Sequence, residues 1–291
     1  MRLCFDATRF GCGLDGAVEL AVRRGLSCVE YSFQPFATGA KAKQALDKSE
    51  KDYLKQVRRL CETHNVNVAC LNLDFCLEPE DKKSAKRFIQ MAAKLAAVAD
   101  AVGCRRISLS MMPGKNGDWK QNAEDALKAV SDVSSEHNVR VLLRLATPAE
   151  FRGHSLKEWK AMEPQDWRDL VSSVPDLSLS FSPADCIWLG IDYLKILSGL
   201  ASAIDHVEAH DIEINRDLLT DSGMFGPLWW RYRMPGKGQV DWRQLIEALK
   251  LYDFQGTLSI HLDDEFIGDE VEDLGDALDN SIRVLAPLVR D

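Results

Sequence analysis

Short apolar runs alternate with longer amphipathic segments along this chain, and the alternation repeats about eight times. The runs at 2–6, 27–32, 66–73, 105–110, 139–145, 177–182, 204–210 and 256–261 have the length and residue content of strands. Between them, segments near 16–24, 48–64, 81–102, 118–136, 165–173, 189–200, 241–251 and 272–288 carry helical periodicity. The clearest is 81–102, which Gly103 stops. Eight strand–helix units of ~35 residues predict a single α/β domain over 1–291, a (β/α)8 TIM barrel. The competing architecture is a doubly wound open sheet, which wants a glycine-rich turn directly after its first strand. Gly11-Cys12-Gly13-Leu14-Asp15-Gly16 has that spacing but stands away from the strand, so it reads as a loop that caps the first helix through Asp15. No Pro/Gly/Ser-rich linker divides the chain. The longest irregular stretch, 211–240, follows the seventh strand, on the face where a barrel of this kind builds its site.

Composition narrows the function classes. With 46% hydrophobic and 28% charged residues among 291, the chain can bury a large core, which excludes disorder, collagen and coiled coil. A formal net charge of −9 argues against a nucleic-acid or anionic-membrane partner. The basic cluster Lys82, Lys83, Lys86 and Arg87 reads as the solvated face of a helix. Eight scattered cysteines without a CxxC pair point to buried thiols in a reducing compartment. No apolar stretch approaches the ~18 residues of a membrane span, and Asp6 and Arg9 interrupt the start before a signal-peptide core can develop. The expected location is the cytoplasm.

In a parallel barrel, polar residues at the C-terminal ends of the strands face a common cavity. Here they are Asp6, Glu30, Asn72 and Asp74, Ser108 and Ser110, Arg144, Ser182 with Asp185, Glu208 with His210 and Asp211, and His261 with Asp263. Burying several of these without partners is costly, so a paired or ligand-facing network is expected. The blander alternatives are that Asp6 and Glu30 pair with Arg9, and that Asn72, Ser108 and Ser110 are filler satisfied by backbone. His64, His137, His154 and His206 look like helix-end or loop residues, with His154 alone in reach of the pocket. A serine hydrolase is not supported, because no GxSxG elbow occurs and Pro183 follows Ser182.

Three segments carry a resemblance: Val207-Glu208-Ala209-His210-Asp211-Ile212-Glu213, the run Trp229-Trp230-Arg231-Tyr232-Arg233-Met234-Pro235-Gly236-Lys237-Gly238-Gln239-Val240-Asp241-Trp242, and Gly256-Thr257-Leu258-Ser259-Ile260-His261. Together with Phe181-Ser182-Pro183-Ala184-Asp185 they resemble the sugar phosphate isomerase/epimerase family, the xylose isomerase-like barrels. The resemblance implies a TIM barrel holding one divalent cation, often manganese or zinc, on a Glu, an Asp, a His and a Glu at the ends of strands five to eight. Such a cation polarises a sugar carbonyl while carboxylates move a proton between adjacent carbons. This sequence departs at all four positions, which fall on Arg144, Ser182, Glu208 and His261, while a substrate-touching His of the family falls on Asp185. The family set carries about −3 and demands a dication; the present set sums to zero, with Arg144 positive, Glu208 negative and neutral His261. An Arg144–Glu208 pair is therefore expected in the cation's place, with no cofactor.

The function expected on these grounds is a sugar isomerase/epimerase-like enzyme acting on a small-molecule carbohydrate without the family's metal. Arg144 would polarise an oxygen, and Glu208 and His261 would be the acid/base pair. Ser182, Asp185, His210, Asp211, Trp229, Arg231 and Lys237 would line the substrate, the bland reading of Arg231 and Arg233 being pairs with Asp217 and Asp221. A catalytically silent carbohydrate-binding or scaffold relative is the alternative. A third possibility is a rewired manganese or zinc site drawn from Glu208, His261, Asp185 and His210. The family resemblance also implies a possible homo-oligomer.

Overall fold

The computed structural model describes residues 1–33, 46–112, 117–144, 163–224, 226 and 229–290. Eight parallel strands form one sheet: β1 (Arg2–Phe5), β2 (Cys28–Phe33), β3 (Asn67–Leu77), β4 (Arg106–Met111), β5 (Arg140–Arg144), β6 (Leu177–Phe181), β7 (Ile204–Ala209) and β10 (Thr257–Ile260). Their order is β1-β10-β7-β6-β5-β4-β3-β2. A parallel bridge between Asp6 and Glu30, with the Ala7 N–H donating to the Glu30 carbonyl at 3.0 Å, brings β2 back to β1 and makes the sheet a nearly closed barrel.

The helices run outside, α1 (Leu14–Arg23), α2 (Lys48–His64), α3 (Lys82–Val102), α4 (Trp119–Ser135), α5 (Pro164–Ser173), α6 (Pro183–Trp188), α7 (Tyr193–Leu200), α8 (Arg216–Ser222), α9 (Trp242–Leu251) and α10 (Val271–Arg290). Local chemistry sets their ends. Asp81 caps α3 by accepting from the Lys83 and Ser84 amides, and Gly103, at φ 79, closes it in the left-handed region where glycine is unstrained. Along α3, Phe88, Ala92, Leu95, Ala96, Ala99 and Val102 recur at helical spacing and are buried against the barrel, leaving Lys82, Lys83, Lys86 and Arg87 exposed. Among the described residues no helix is long and apolar enough to cross a membrane.

Alternation puts one set of strand residues on the helices and the other inside the barrel. On β7, Val207 and Ala209 join the apolar core while His206, Glu208 and His210 point inward. On β6 and the residue that follows it the inward set includes Ser180 and Ser182, and along β10 and just past its end it runs Thr257, Ser259, His261. A barrel interior is ordinarily filled by branched aliphatic side chains; this one is filled on three adjoining strands by serine, threonine, histidine and glutamate.

Three expectations change. Residues 211–240 are not irregular: β8 (Asp211–Ile214) and β9 (Trp230–Arg233) form an antiparallel hairpin with α8 between them. The segment 189–200 holds only α7, because Ser182 caps a separate short helix, α6, and Gly190, at φ 71, breaks the chain before Asp192 caps the next one at Tyr193. The first helix is capped by the Gly13 backbone, and Asp15 lies in its first turn, where it accepts from the Tyr53 hydroxyl at 2.9 Å.

Candidate active site

Two groups of buried polar side chains meet at the C-terminal end of the barrel. The first spans β5 to β7. Arg144 at the end of β5 donates from Nε to Glu208 Oε1 at 2.8 Å and from its terminal nitrogen to Oε2 at 2.6 Å, a two-point guanidinium–carboxylate pair. The Ser180 hydroxyl adds a third donor to Oε1 at 2.7 Å. Burial works to raise the Glu208 pKa, but the Arg144 charge outweighs it and holds the carboxyl at about 2. Arg144 is held well above its ordinary value, since Glu208 outweighs the cost of burying its charge.

The second group spans β7, β10 and β2. Glu30 lies in the barrel interior, where Oε2 accepts from His206 Nε2 at 3.0 Å and His261 Nε2 at 3.1 Å and Oε1 accepts from Asn72 Nδ2 at 2.5 Å. Despite burial, the two imidazoles keep Glu30 well below the usual carboxylate range. His206 Nδ1 meets Thr257 Oγ1 at 2.6 Å. Above this layer, His210 Nδ1 lies 3.4 Å and His261 Nδ1 3.6 Å from the same oxygen of Asp263. Both histidine side chains are at most 3% exposed, whereas Asp263 is 45% exposed and faces the mouth. Burial opposes protonation of His261, and Glu30 overrides it, lifting the imidazole well above its ordinary value; His210 is raised too, through Asp185 and Asp263. Asp6, partly exposed at the end of β1, is pushed up to about 6 by burial despite the nearby His261 charge.

A wall of aromatic residues stands over β6 and β7. Asp185 Oδ1 accepts from Trp188 Nε1 at 3.0 Å and from the Tyr232 hydroxyl at 2.5 Å, and Oδ2 lies 3.6 Å from His210 Nε2. The Tyr232 ring stacks on His210 at 4.2 Å, and Trp188 stacks on Trp230 at 4.9 Å. Trp230 and Tyr232 of this wall belong to the β8–β9 hairpin and Trp188 to α6, and Asp211 fastens the hairpin: Oδ1 accepts from the Ile212 and Val240 amides at 2.9 Å each, Oδ2 from the Gly236 amide and Trp242 Nε1 at 3.0 Å each. Gly238 packs so closely on the Ile212 backbone and Asp211 that any Cβ would collide with them.

Several expected substrate-lining residues therefore have other duties. Asp211 is fully buried with four donors on its two oxygens, which fills a carboxylate's capacity and leaves nothing for a ligand. Trp229 packs in the aromatic cluster and donates Nε1 to the Met224 carbonyl. Arg231 pairs with Glu213 at 2.6 Å and covers the Phe266 ring at 4.2 Å; Arg233 joins Glu213 and Asp264, so neither uses Asp217 or Asp221. Lys237 sits exposed on the turn after β9, outside this hydrogen-bonded group. Ser182, Asp185 and His210 do come together, Ser182 Oγ lying 2.8 Å from His210 Nε2. Asp6 and Glu30 do not pair with Arg9, which instead reaches Asp269 and the Leu262 and Ile267 carbonyls. His206 is no loop residue but a β7 side chain in the barrel interior. Alternation with Glu208 and His210 along the strand is the signal in the sequence that would have identified it. His154 lies outside the described residues.

The four residues that the resemblance places around a cation do not fit one. All the charge on Glu208 is answered by Arg144 and Ser180, and Ser182 Oγ is engaged by His210 and by the Asp185 amide at 3.1 Å. A guanidinium in the middle of the set would repel the ion.

The sequence profile of the family described as the xylose isomerase-like TIM barrel matches residues 18–287. The chain belongs to that family. Among solved structures, the IOLI protein with a binding zinc atom superposes with a TM-score of 0.73 at 18% identity, covering 99% of this chain and 98% of that one. A D-tagatose 3-epimerase-like protein gives 0.68 at 14% identity, covering 99% and 100%. Likeness at such identity shows the fold alone. A curated relative, the uncharacterized protein YfiH of Bacillus subtilis (strain 168), is 27% identical over 100 residues; the match spans only 31% of this chain and 32% of that protein.

Proposed function

We propose that this xylose isomerase-like barrel is an enzyme that isomerises or epimerises a carbohydrate or sugar derivative, and that it works without a cation between the ends of β5 and β7. The observation that carries the reading is the half-exposed Asp263 carboxylate shared by two buried histidines at the mouth, beside a guanidinium that is 23% exposed. The family includes sugar epimerases and isomerases, and one structural neighbour is a D-tagatose 3-epimerase-like protein. Substrate oxygens are gathered by His210, His261 and Arg144 over the mouth, which polarises a carbonyl, and a carboxylate moves the proton between adjacent carbons. Asp6, near His261 at the end of β1, is assigned that step. Glu208, whose oxygens are occupied, is assigned the part of anchor for Arg144 rather than of base. All eight cysteines are free, which supports the expected reducing cytoplasmic setting.

The test is incubation of the protein in D2O with a panel of aldoses, ketoses, their phosphates and their oxidised derivatives, read by proton NMR. Solvent deuterium entering a carbon-bound position, and falling at least about a hundredfold in Asp6→Asn, supports the assignment. Saturable binding with no exchange would replace it with a silent carbohydrate binder.

A further inference from the structure

Two imidazole–carboxylate contacts at the mouth of the barrel are longer than the two inside it. Within the barrel, the imidazole–carboxylate contacts of Glu30 are 3.0 and 3.1 Å, inside the usual N–H···O range. At the mouth, His210 Nδ1 and His261 Nδ1 stand 3.4 and 3.6 Å from one oxygen of Asp263, beyond that range, although Asp263 is the exposed and freer partner. Three groups around one zinc-sized ion, each at ~2.0–2.1 Å and in tetrahedral directions, stand about 3.4 Å apart. The ligand atoms of His210, His261 and Asp263 all lie within 4.8 Å of one another.

The opposite ring nitrogens are arranged to match. Glu30 accepts from His261 Nε2, which keeps that nitrogen protonated and makes Nδ1, the nitrogen toward Asp263 and the mouth, the one whose proton an ion would displace. Ser182 Oγ, 2.8 Å from His210 Nε2, is placed to accept from that nitrogen when Nδ1 takes an ion. The Tyr232 ring, stacked at 4.2 Å, holds the plane of His210. A partner on the far nitrogen of each ligating imidazole is the ordinary support of a metal-bound histidine.

We propose that His210 Nδ1, His261 Nδ1 and the Asp263 carboxylate form a mononuclear site for a divalent transition metal at the mouth of the barrel, with its open positions facing solvent and substrate. This is a different ligand set from the strand-end positions of the resemblance, and it excludes Glu208 and Asp185, which have their own partners. Glu30, His206 and His261 also cluster, but their contacts are hydrogen bonds of ordinary length and no face is open, so Glu30 supports the site without ligating. Two imidazoles and one carboxylate on one side of an ion, with the other side free, suit zinc, iron(II) or manganese acting on oxygen ligands. The inference rests on the proposed function only in naming those oxygens as a sugar's; ion binding is independent of it.

Equilibrium dialysis of the metal-free full chain against Zn2+, with the metal content measured by mass spectrometry, tests the site. One equivalent should bind, Asp263→Ala should weaken it at least tenfold, and Ser182→Ala, which leaves all three ligands in place, should weaken it by about 10–100-fold. Long-range 15N spectra of the loaded protein should show both Nδ1 atoms shifted and both Nε2 atoms still protonated. Failure of the folded wild-type chain to retain zinc would overturn the site, as would retention that Asp263→Ala leaves unchanged. Deuterium exchange into a sugar by protein that binds no metal would overturn this inference alone; stoichiometric zinc without exchange on any sugar would leave it standing and remove the sugar.

Discussion

The two halves of the barrel mouth contain similar ingredients and use them in opposite ways. On the β5–β7 side, Arg144 and Glu208 face each other with two short bonds and a serine on the remaining side, and Glu208 is 1% exposed. On the β7–β10 side, two histidines share Asp263 at longer range, and that carboxylate is 45% exposed. A saturated pair in a low-dielectric interior is costly to disturb and has little left to offer a ligand. An undersupplied carboxylate between two buried rings can take another partner. The contrast separates what holds this site together from what is available for chemistry.

Breaking the saturated half should give the largest effect. Arg144→Met strands a buried carboxylate and should cost about 3–5 kcal/mol, measured by denaturant unfolding, while Arg144→Met with Glu208→Leu should recover much of the loss. The same loss in the double variant would show that the ion pair is not what the single variant removes. Glu30→Gln removes a charged acceptor from two imidazoles and should cost about 1–3 kcal/mol. The His261 ring signal should titrate at lower pH than in wild type, and unchanged titration would detach Glu30 from that imidazole.

Acid provides a graded probe. Glu208 has its carboxyl lowered from 4.5 to about 2 by Arg144, so the pair's contribution is full above about pH 4.5 and is lost as pH falls toward 2. The stability gap between wild type and the double variant should therefore narrow over that window. His261 has the opposite sign in metal-free protein: being raised, its contribution is full below about pH 6.5 and declines as pH rises through the folded value. The smallest stability change belongs to the open half. Asp263→Ala, at a half-exposed position, should shift stability by under about 1 kcal/mol, and a larger loss would mean that Asp263 is a structural residue like Glu208.

The repeating unit of the barrel was legible because apolar period and helix stops agree along the chain, as at 81–102 with its Gly103 stop. The Arg144–Glu208 pair was legible as a charge argument, because both residues end strands whose inward phase is fixed by alternation. Glu30 was not. Its partners His206 and His261 lie 176 and 231 residues away, and they meet it only because the barrel brings β2 back beside β1, next to β10. The 211–240 segment hid a hairpin because its order comes from Asp211 gathering four donors, a convergence with no period to detect. For the same reason Arg231 looked available for ligand: its partner Glu213 lies across the unseen β8–β9 register.

The central claim is that the place between Arg144 and Glu208 is closed while the place beside Asp263 is open. An anomalous difference map at the zinc edge, from crystals equilibrated with Zn2+, tests both parts at once. The account predicts one peak bounded by His210 Nδ1, His261 Nδ1 and Asp263, with the Arg144–Glu208 pair intact. A peak on Glu208, with the guanidinium displaced, would contradict it.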